Sequence, residues 1–502
     1  MPKKIIFVSI VLAILLLSSS FALSVQNNKI EISTEKIQYY DKISNSDNVR
    51  LLYPLSSVPI IVKQNGNFTI QFQTEEFNDL FIYISTAYEP VIDEFSLIIN
   101  NIFFNNTIWY VQVDLPPSVP EELYNLTIVI NLNNQIFKDI QPRAVSVVTE
   151  FKDDFSFIHI TDFHVGDPRG LIESVRKTIG LKSLKKCIEE INLLHPDFVI
   201  ISGDLVFGQL YPFEYSKEYK RCYDLLQMFD VPTYLCPGNH DGYRKITEDG
   251  FEFWDKYFGP QYYSFDYGDN HFIACNSYDM PNIFRLTISF LPLTWGGNIG
   301  DQQFNWIKDN LESTDSKNTF IFIHHNPLWG TIRESFIRKK YQNREELISL
   351  IDQYNVKMVL AGHVHYDNVT IFNDTIYLTT TTPESSTPTK DGYWGYRMIT
   401  IKDNEIVSYN YKEPKYSIPT YHLSTKKREG LLFASETITN DLEMDIQALV
   451  KFVMPKRNYT VDNGIILQKR DGADISEVYV SVNASKQSIT KVSLKPKTLS
   501  QD

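Results

Sequence analysis

A chain of 502 residues, 43% hydrophobic and 22% charged, is too long for one compact domain and too apolar to be disordered. Its 61 acidic and 48 basic residues leave a net charge of −13 with no local basic cluster, which argues against a nucleic-acid polymer as partner. The 30 Tyr and 32 Phe against 21 Gly favour well-filled β-strands and exclude collagen-like and low-complexity classes.

In chain order, Lys3-Lys4, the apolar run Ile5 to Leu17 and the small residues Ser18 to Ala22 have the layout of a secretory signal over residues 1–24, cleaved after Ala22 or Ser24. An uncleaved anchor reaching Leu23 is the competing reading. Both place the body of the chain outside the cytoplasm, secreted or held at a membrane by the N-terminus alone. Sequons at Asn67, Asn105, Asn125, Asn368, Asn373, Asn458 and Asn483 fit export, although an Asn-rich chain also makes them by chance.

Residues 25–148 carry short strand-like runs such as Phe68-Thr69-Ile70-Gln71-Phe72, broken by Asn, Gly and Pro, and predict a β-sandwich. Residues 149–411 change to β-α-β-α-β alternation, which calls for layered α/β packing. The strands are Phe155 to Ile160, Asp197 to Ile201, Pro232 to Cys236, Asn318 to Ile323 and Val356 to Leu360. The helices are Leu171 to Leu194, Tyr215 to Phe229 and Arg344 to Tyr354. Residues 412–502 return to alternation and predict a small β-rich appendage. The cysteines Cys187, Cys222, Cys236 and Cys275 lack CxxC spacing, which argues against a cysteine zinc site; disulfides and buried thiols both stay open.

Metal-ligand residue types recur just after the strands. Asp162-Phe163-His164, Gly203-Asp204, Gly238-Asn239-His240-Asp241, His324-His325 and Gly362-His363-Val364-His365 each follow an apolar run. In an open α/β sheet the carboxyl ends of strands share one rim, where ligands bind. Carboxylate and imidazole suit borderline divalent metals better than the all-oxygen shell of calcium. An Asp can bridge two ions with its two oxygens.

This ordered series, D-x-H, G-D, G-N-H-D, H-H and G-H-x-H, resembles the calcineurin-like metallophosphoesterase family over roughly residues 155 to 405. The resemblance implies two packed mixed β-sheets flanked by helices and a two-metal site at the strand ends. Residue by residue, it implies Asp162, His164 and His365 as ligands of one ion, Asn239, His324 and His363 as ligands of the other, and Asp204 as the bridge. His240 becomes the catalytic histidine, and the ions are a divalent pair such as Mn, Fe(II) or Zn. Purple acid phosphatases have a tyrosine three residues after the bridging Asp; Phe207 stands there and offers no oxygen, which argues against a ferric centre.

The resulting expectation is an exported dinuclear-metal phosphoesterase that hydrolyses small phosphomono- or diesters with a metal-bridging hydroxide. A secreted nucleotidase or cyclic-nucleotide phosphodiesterase is the alternative within the enzyme class. A surface-binding β-module protein with a relic catalytic domain is the alternative outside it; a lost ligand would favour that reading, and none is lost. His159, His195, His271 and His422 are read as structural, His325 and Asp241 as structural or supporting. Arg169, Arg244, Arg333 and Trp329 are read as surface or packing residues before substrate contacts.

Overall fold

In a computed structural model of the chain, the structure describes residues 48–168, 180–210, 212–288, 291–329, 340–384, 393–413, 416–430 and 433–497. The signal or anchor segment, Arg169, Arg333 and the first part of the helix expected from Leu171 lie outside these residues. Among the described residues, no helix is long and apolar enough to cross a membrane.

The first region is a two-sheet sandwich. One sheet has the order Val49–Tyr53, Asn67–Thr74, Ile108–Asp114, Ile98–Asn105; the other has Ile60–Lys63, Gln135–Val148, Glu122–Leu132, Asp79–Thr86, Glu94–Ser96. Period-two alternation turns Phe68, Ile70 and Phe72 inward against Ile82, Ile84 and Ile128, while Gln71 and Gln73 face outward. The fully buried Arg143 ties this sandwich to the middle region, donating to the carbonyls of Leu226 and Val231.

That middle region pairs two six-stranded sheets. The first runs Thr233–Cys236, Phe198–Ser202, Phe155–Ile160, Gly395–Lys402, Glu405–Ser408, with Ile418–Pro419 at its side. The second runs Tyr263–Tyr267, Asn270–Cys275, Asn318–Ile323, Met358–Ala361, Thr375–Thr379, Asn368–Phe372. Phe157, Phe198, Phe272, Phe320 and Leu360 fill the layer between them, with the Phe157 and Phe198 rings stacked at 5.2 Å. The alternate residues of the same strands face helices. Ile158, Ile160 and Ile201 meet Gly180–Leu194 and Tyr215–Leu226, and Ile321 and Val359 meet Asp301–Ser313 and Arg344–Gln353. Both strand faces are therefore buried, which is why these strands read as continuous apolar runs.

The C-terminal strands form two further sheets, and they are more than an appendage. Val450, Phe452 and Val480 share one continuous core with Leu184, Cys187 and Ile188 of the helix Gly180–Leu194. Arg470, nearly inaccessible, reaches Asp93 at 2.8 Å and Glu122 at 2.9 Å in the N-terminal sandwich as well as its neighbour Glu477 at 3.2 Å. All four cysteines are buried free thiols.

Glu190 joins the middle and C-terminal regions by accepting from Tyr421 N–H at 2.8 Å and Tyr396 O–H at 3.2 Å. Burial pushes its carboxyl up from 4.5 to about 8. The folded chain holds a proton that the unfolded chain gives up. The contribution of this group is thus complete below about pH 4.5 and is lost as pH rises through about 8. Glu190→Gln keeps a neutral side chain at every pH. Urea midpoints at pH 5 and pH 8 are expected to fall further for the wild type than for the variant; equal declines would remove Glu190 from the pH response.

Candidate metal centre

The two sheets bring their strand ends to one place. Phe155–Ile160 leads into Asp162 and His164, Phe198–Ser202 into Asp204, Thr233–Cys236 into Asn239 and His240, Asn318–Ile323 into His324, and Met358–Ala361 into His363 and His365. Asp162, His164, Asp204, His363 and His365 all lie at positive φ, between 45° and 75°. Non-glycine residues seldom adopt this region, so the loops bend at the residues that supply the polar atoms. Two glycines make the approach possible. Gly203 itself lies at φ +89°, and a Cβ on Gly238 would stand 2.2 Å from Asp204 Oδ1.

Within the centre, Asp204 Oδ2 lies 3.3 Å from His164 Nε2 and 3.1 Å from His324 Nε2. Asp162 Oδ1 lies 3.1 Å from His365 Nε2. Donor atoms of Asp162, His164 and His365 come within 4.8 Å of one another, and so do those of Asp162, Asp204 and His324. The other atoms of these side chains are held from behind. Asp162 Oδ2 accepts from Thr161 Oγ1 at 2.9 Å and His363 N–H at 3.0 Å; His324 Nδ1 meets the Ser202 carbonyl at 2.8 Å. Asn239 Nδ2 donates to Tyr243 Oη at 2.7 Å, which turns Oδ1 the other way.

Whether a metal fits here is decided by the atoms left over. Asp162 Oδ1, His164 Nδ1, Asn239 Oδ1 and His324 Nε2 are buried without a hydrogen-bond partner; His324 Nε2 and Asp162 Oδ1 have close neighbours at 3.1 Å but not hydrogen-bond geometry. Buried donors and acceptors are ordinarily satisfied. Four orphans in one constellation of carboxylate, imidazole and amide groups fit a borderline divalent cation. Electrostatics agree. Burial alone raises a carboxyl, yet His324 and His240 hold Asp204 well below its usual range; burial alone lowers an imidazole, yet Asp204 raises His324. The protein alone keeps a proton where a cation would displace it.

His240 stands at the edge of the donor set, with a ring nitrogen within 4.8 Å of donor atoms of His164 and Asp204. Its Nδ1 meets the Phe207 carbonyl and its backbone N–H donates to Asp204 Oδ1 at 2.9 Å, so Nε2 is the ring nitrogen turned away from that carbonyl. The Phe207 ring stands 5.3 Å from His240 and 6.1 Å from His164, an apolar wall where a ligating phenol would otherwise sit. His325 joins a histidine group with His324 and His363 but spends both nitrogens, on Ser277 Oγ at 2.7 Å and the Trp295 carbonyl at 2.8 Å. It supports the centre from outside. Asp241 likewise gives one oxygen to Leu205 and Val206 N–H and the other to Gly238 N–H, which makes it a holder of loops.

The remaining histidines are structural. His159 bridges Thr380 Oγ1 and Ser202 Oγ, His271 bridges Asp266 and Asn310, His195 closes a helix on Ile191, and His422 is exposed. Arg244 pairs with Asp249 at 3.2 Å, and Trp329 stacks on Tyr366 at 5.8 Å. Sequence reasoning missed Tyr243, Thr161 and the buried Arg397–Asp367 pair, which together orient Asn239, Asp162 and the segment after His365. No spacing marks them, because their partners are brought close only by the fold.

A profile described as calcineurin-like phosphoesterase matches residues 155–367. A probable glycerophosphodiester phosphodiesterase of Arcobacter nitrofigilis is 29% identical over 230 residues, 45% of this chain and 77% of the relative. A 3′,5′-cyclic-nucleotide phosphodiesterase of Nostoc sp. is 28% identical over 220 residues, 42% of this chain and 72% of the relative. A probable cyclic nucleotide phosphodiesterase of Coxiella burnetii is 26% identical over 224 residues, 44% of this chain and 78% of the relative. With its strand-end motifs assembled into one centre of metal-ligand type, residues 155–367 form a region of calcineurin-like phosphoesterase type, the part of the chain that carries a metal-dependent phosphoric ester hydrolase.

Proposed function

We propose that the chain is an exported phosphodiesterase working with two divalent transition ions. The observation that carries the two-ion reading is Asp204 Oδ2, which stands within 3.3 Å of His164 Nε2 and 3.1 Å of His324 Nε2 and so belongs to both halves of the donor set. Asp162, His164 and His365 would hold one ion, Asn239, His324 and His363 the other, and Asp204 both. When bound, such a pair supplies a water acidified to near-neutral pKa and neutralises charge on the phosphoryl oxygens.

The chain's own residues do the rest. Asp162 and Asp204, anchored through their second oxygens, keep the donor atoms in register. The Phe207 ring sets an apolar face beside His240 and His164. His240, whose Nδ1–H donates to the Phe207 carbonyl, would present Nε2 to the leaving oxygen and, once protonated there from solvent to the imidazolium, return that proton to it. The names of the similar proteins, a glycerophosphodiester and two cyclic-nucleotide phosphodiesterases, favour diesters over monoesters. Export rests on the N-terminal sequence layout.

Purified protein with added Mn²⁺, Fe²⁺ or Zn²⁺ is expected to hydrolyse bis(p-nitrophenyl) phosphate and glycerophosphocholine faster than p-nitrophenyl phosphate; no turnover with any of the three ions would overturn the reading. Elemental analysis is expected to find two transition ions per chain, with Asp204→Asn lowering occupancy of both positions and Asn239→Ala chiefly one. Equal, full occupancy in Asp204→Asn would refute the shared carboxylate. His240→Ala is expected to retain metal and lose about a hundredfold or more in kcat; an unchanged kcat would remove His240 from the proton-transfer role.

A further inference from the structure

His240 is aimed by groups that its own loop does not supply. Its Nδ1 meets the Phe207 carbonyl, and a carbonyl can only accept, so the contact requires the hydrogen on Nδ1 and ties the ring to one peptide group. The direction of the ring then depends on two backbone positions, that of His240 and that of the peptide joining Phe207 to Gly208. The first turn of the helix Tyr215–Leu226 holds both.

Tyr215, fully buried, shares its hydroxyl between the His240 carbonyl at 2.9 Å and the Tyr243 carbonyl at 3.0 Å. Burial pushes this phenol well above its usual range, so it stays a donor. One turn further along, the buried Glu218 accepts through Oε2 from the Gly208 N–H at 2.8 Å. That N–H and the Phe207 carbonyl belong to the same planar peptide group, so Glu218 and His240 grip its two ends. A donor bond on the N–H side also polarises the carbonyl on the other side and strengthens its hold on Nδ1–H. The packing leaves this peptide little freedom: Gly208 lies at φ +57°, and a Cβ on it would collide with the Tyr215 ring and the His240 carbonyl. Burial, with Glu214 close by, pushes the Glu218 carboxyl up from 4.5 to about 8. At neutral pH it is therefore an uncharged group that a glutamine imitates.

We propose that Tyr215 and Glu218 are positioning residues for departure of the leaving group, and that together they set the direction in which His240 Nε2 points. The leaving-group role of His240 comes from the phosphodiesterase reading above; the aim of the ring is a property of the fold alone. An alkoxide needs a proton as it departs, whereas p-nitrophenolate leaves without one. Loss of aim should therefore slow only esters of ordinary alcohols, and loosening of the metal centre should slow every ester.

Tyr215→Phe, Glu218→Ala and Glu218→Gln in the full chain loaded with Zn²⁺ test this. Tyr215→Phe and Glu218→Ala are expected to keep their zinc by elemental analysis, to lose about tenfold or more in kcat on glycerophosphocholine, and to stay within about twofold of the wild type on bis(p-nitrophenyl) phosphate. Glu218→Gln is expected to recover the glycerophosphocholine rate. Equal loss on both substrates, loss of zinc, no loss on either substrate, or no recovery in Glu218→Gln overturns the positioning role. A wild type inactive on both diesters would defeat the phosphodiesterase reading, and the aim of the ring is then decided without turnover. In protein carrying isotope-labelled histidine, the Nδ1–H proton resonance of His240, identified by its loss in His240→Ala, is expected to shift in Tyr215→Phe and Glu218→Ala and to return in Glu218→Gln. A resonance missing from the wild type, or unmoved in both variants, overturns the proposal whatever the activity.

Discussion

Two carboxylates, Asp162 and Asp204, lie buried at the meeting point of two sheets, and each has an oxygen facing imidazoles. Removing an ionised carboxylate from water costs several kcal/mol even after the protein relaxes. No lysine or arginine among the described residues forms an ion pair with either of them. The arrangement makes sense as a receptacle for positive charge from outside the chain, and much of the surrounding structure serves to keep it from collapsing. Asp162 is braced by Thr161 and the His363 backbone, Asp204 by the His240 backbone, and the loops beneath them by both oxygens of Asp241.

That constraint explains where strain is stored. Five of the polar residues in the centre take the left-handed backbone region, each costing on the order of 1 kcal/mol or more. Phe157, Phe198, Phe272 and Phe320 between the sheets, and the paired helices outside them, supply the rigid support against which such loops can be held. A softer scaffold would let the backbone relax and the two carboxylates drift apart.

The flanking regions extend the same scaffold. Arg143 from the sandwich donates to the Leu226 carbonyl at the end of the helix Tyr215–Leu226 and to the Val231 carbonyl in the loop after it; the first residue of that helix, Tyr215, donates to the His240 and Tyr243 carbonyls. Arg470 links the C-terminal strands to the sandwich through Asp93 and Glu122. The three regions therefore support one another, and the segment that aligns His240 is backed by residues far away in the chain.

The histidines, aspartates and Asn239 of the centre were legible in sequence because each follows an apolar strand, and strand ends in an α/β layer converge whatever the details of packing. The sandwich and the helix Arg344–Gln353 were legible because their side-chain periods are local properties of the backbone. What sequence left open needed the third dimension. Whether His325 ligates depends on Ser277 and the Trp295 carbonyl, whether Asp241 acts or merely holds depends on three backbone N–H groups, and whether the cysteines bond depends on which cores enclose them. The C-terminal strands looked separable because alternation shows that a face is buried but not against what; only the fold decided that the partner is Leu184 and Ile188 of a helix far upstream. Local chemistry marked the candidate donor groups, and contacts between residues distant in sequence chose which of them meet.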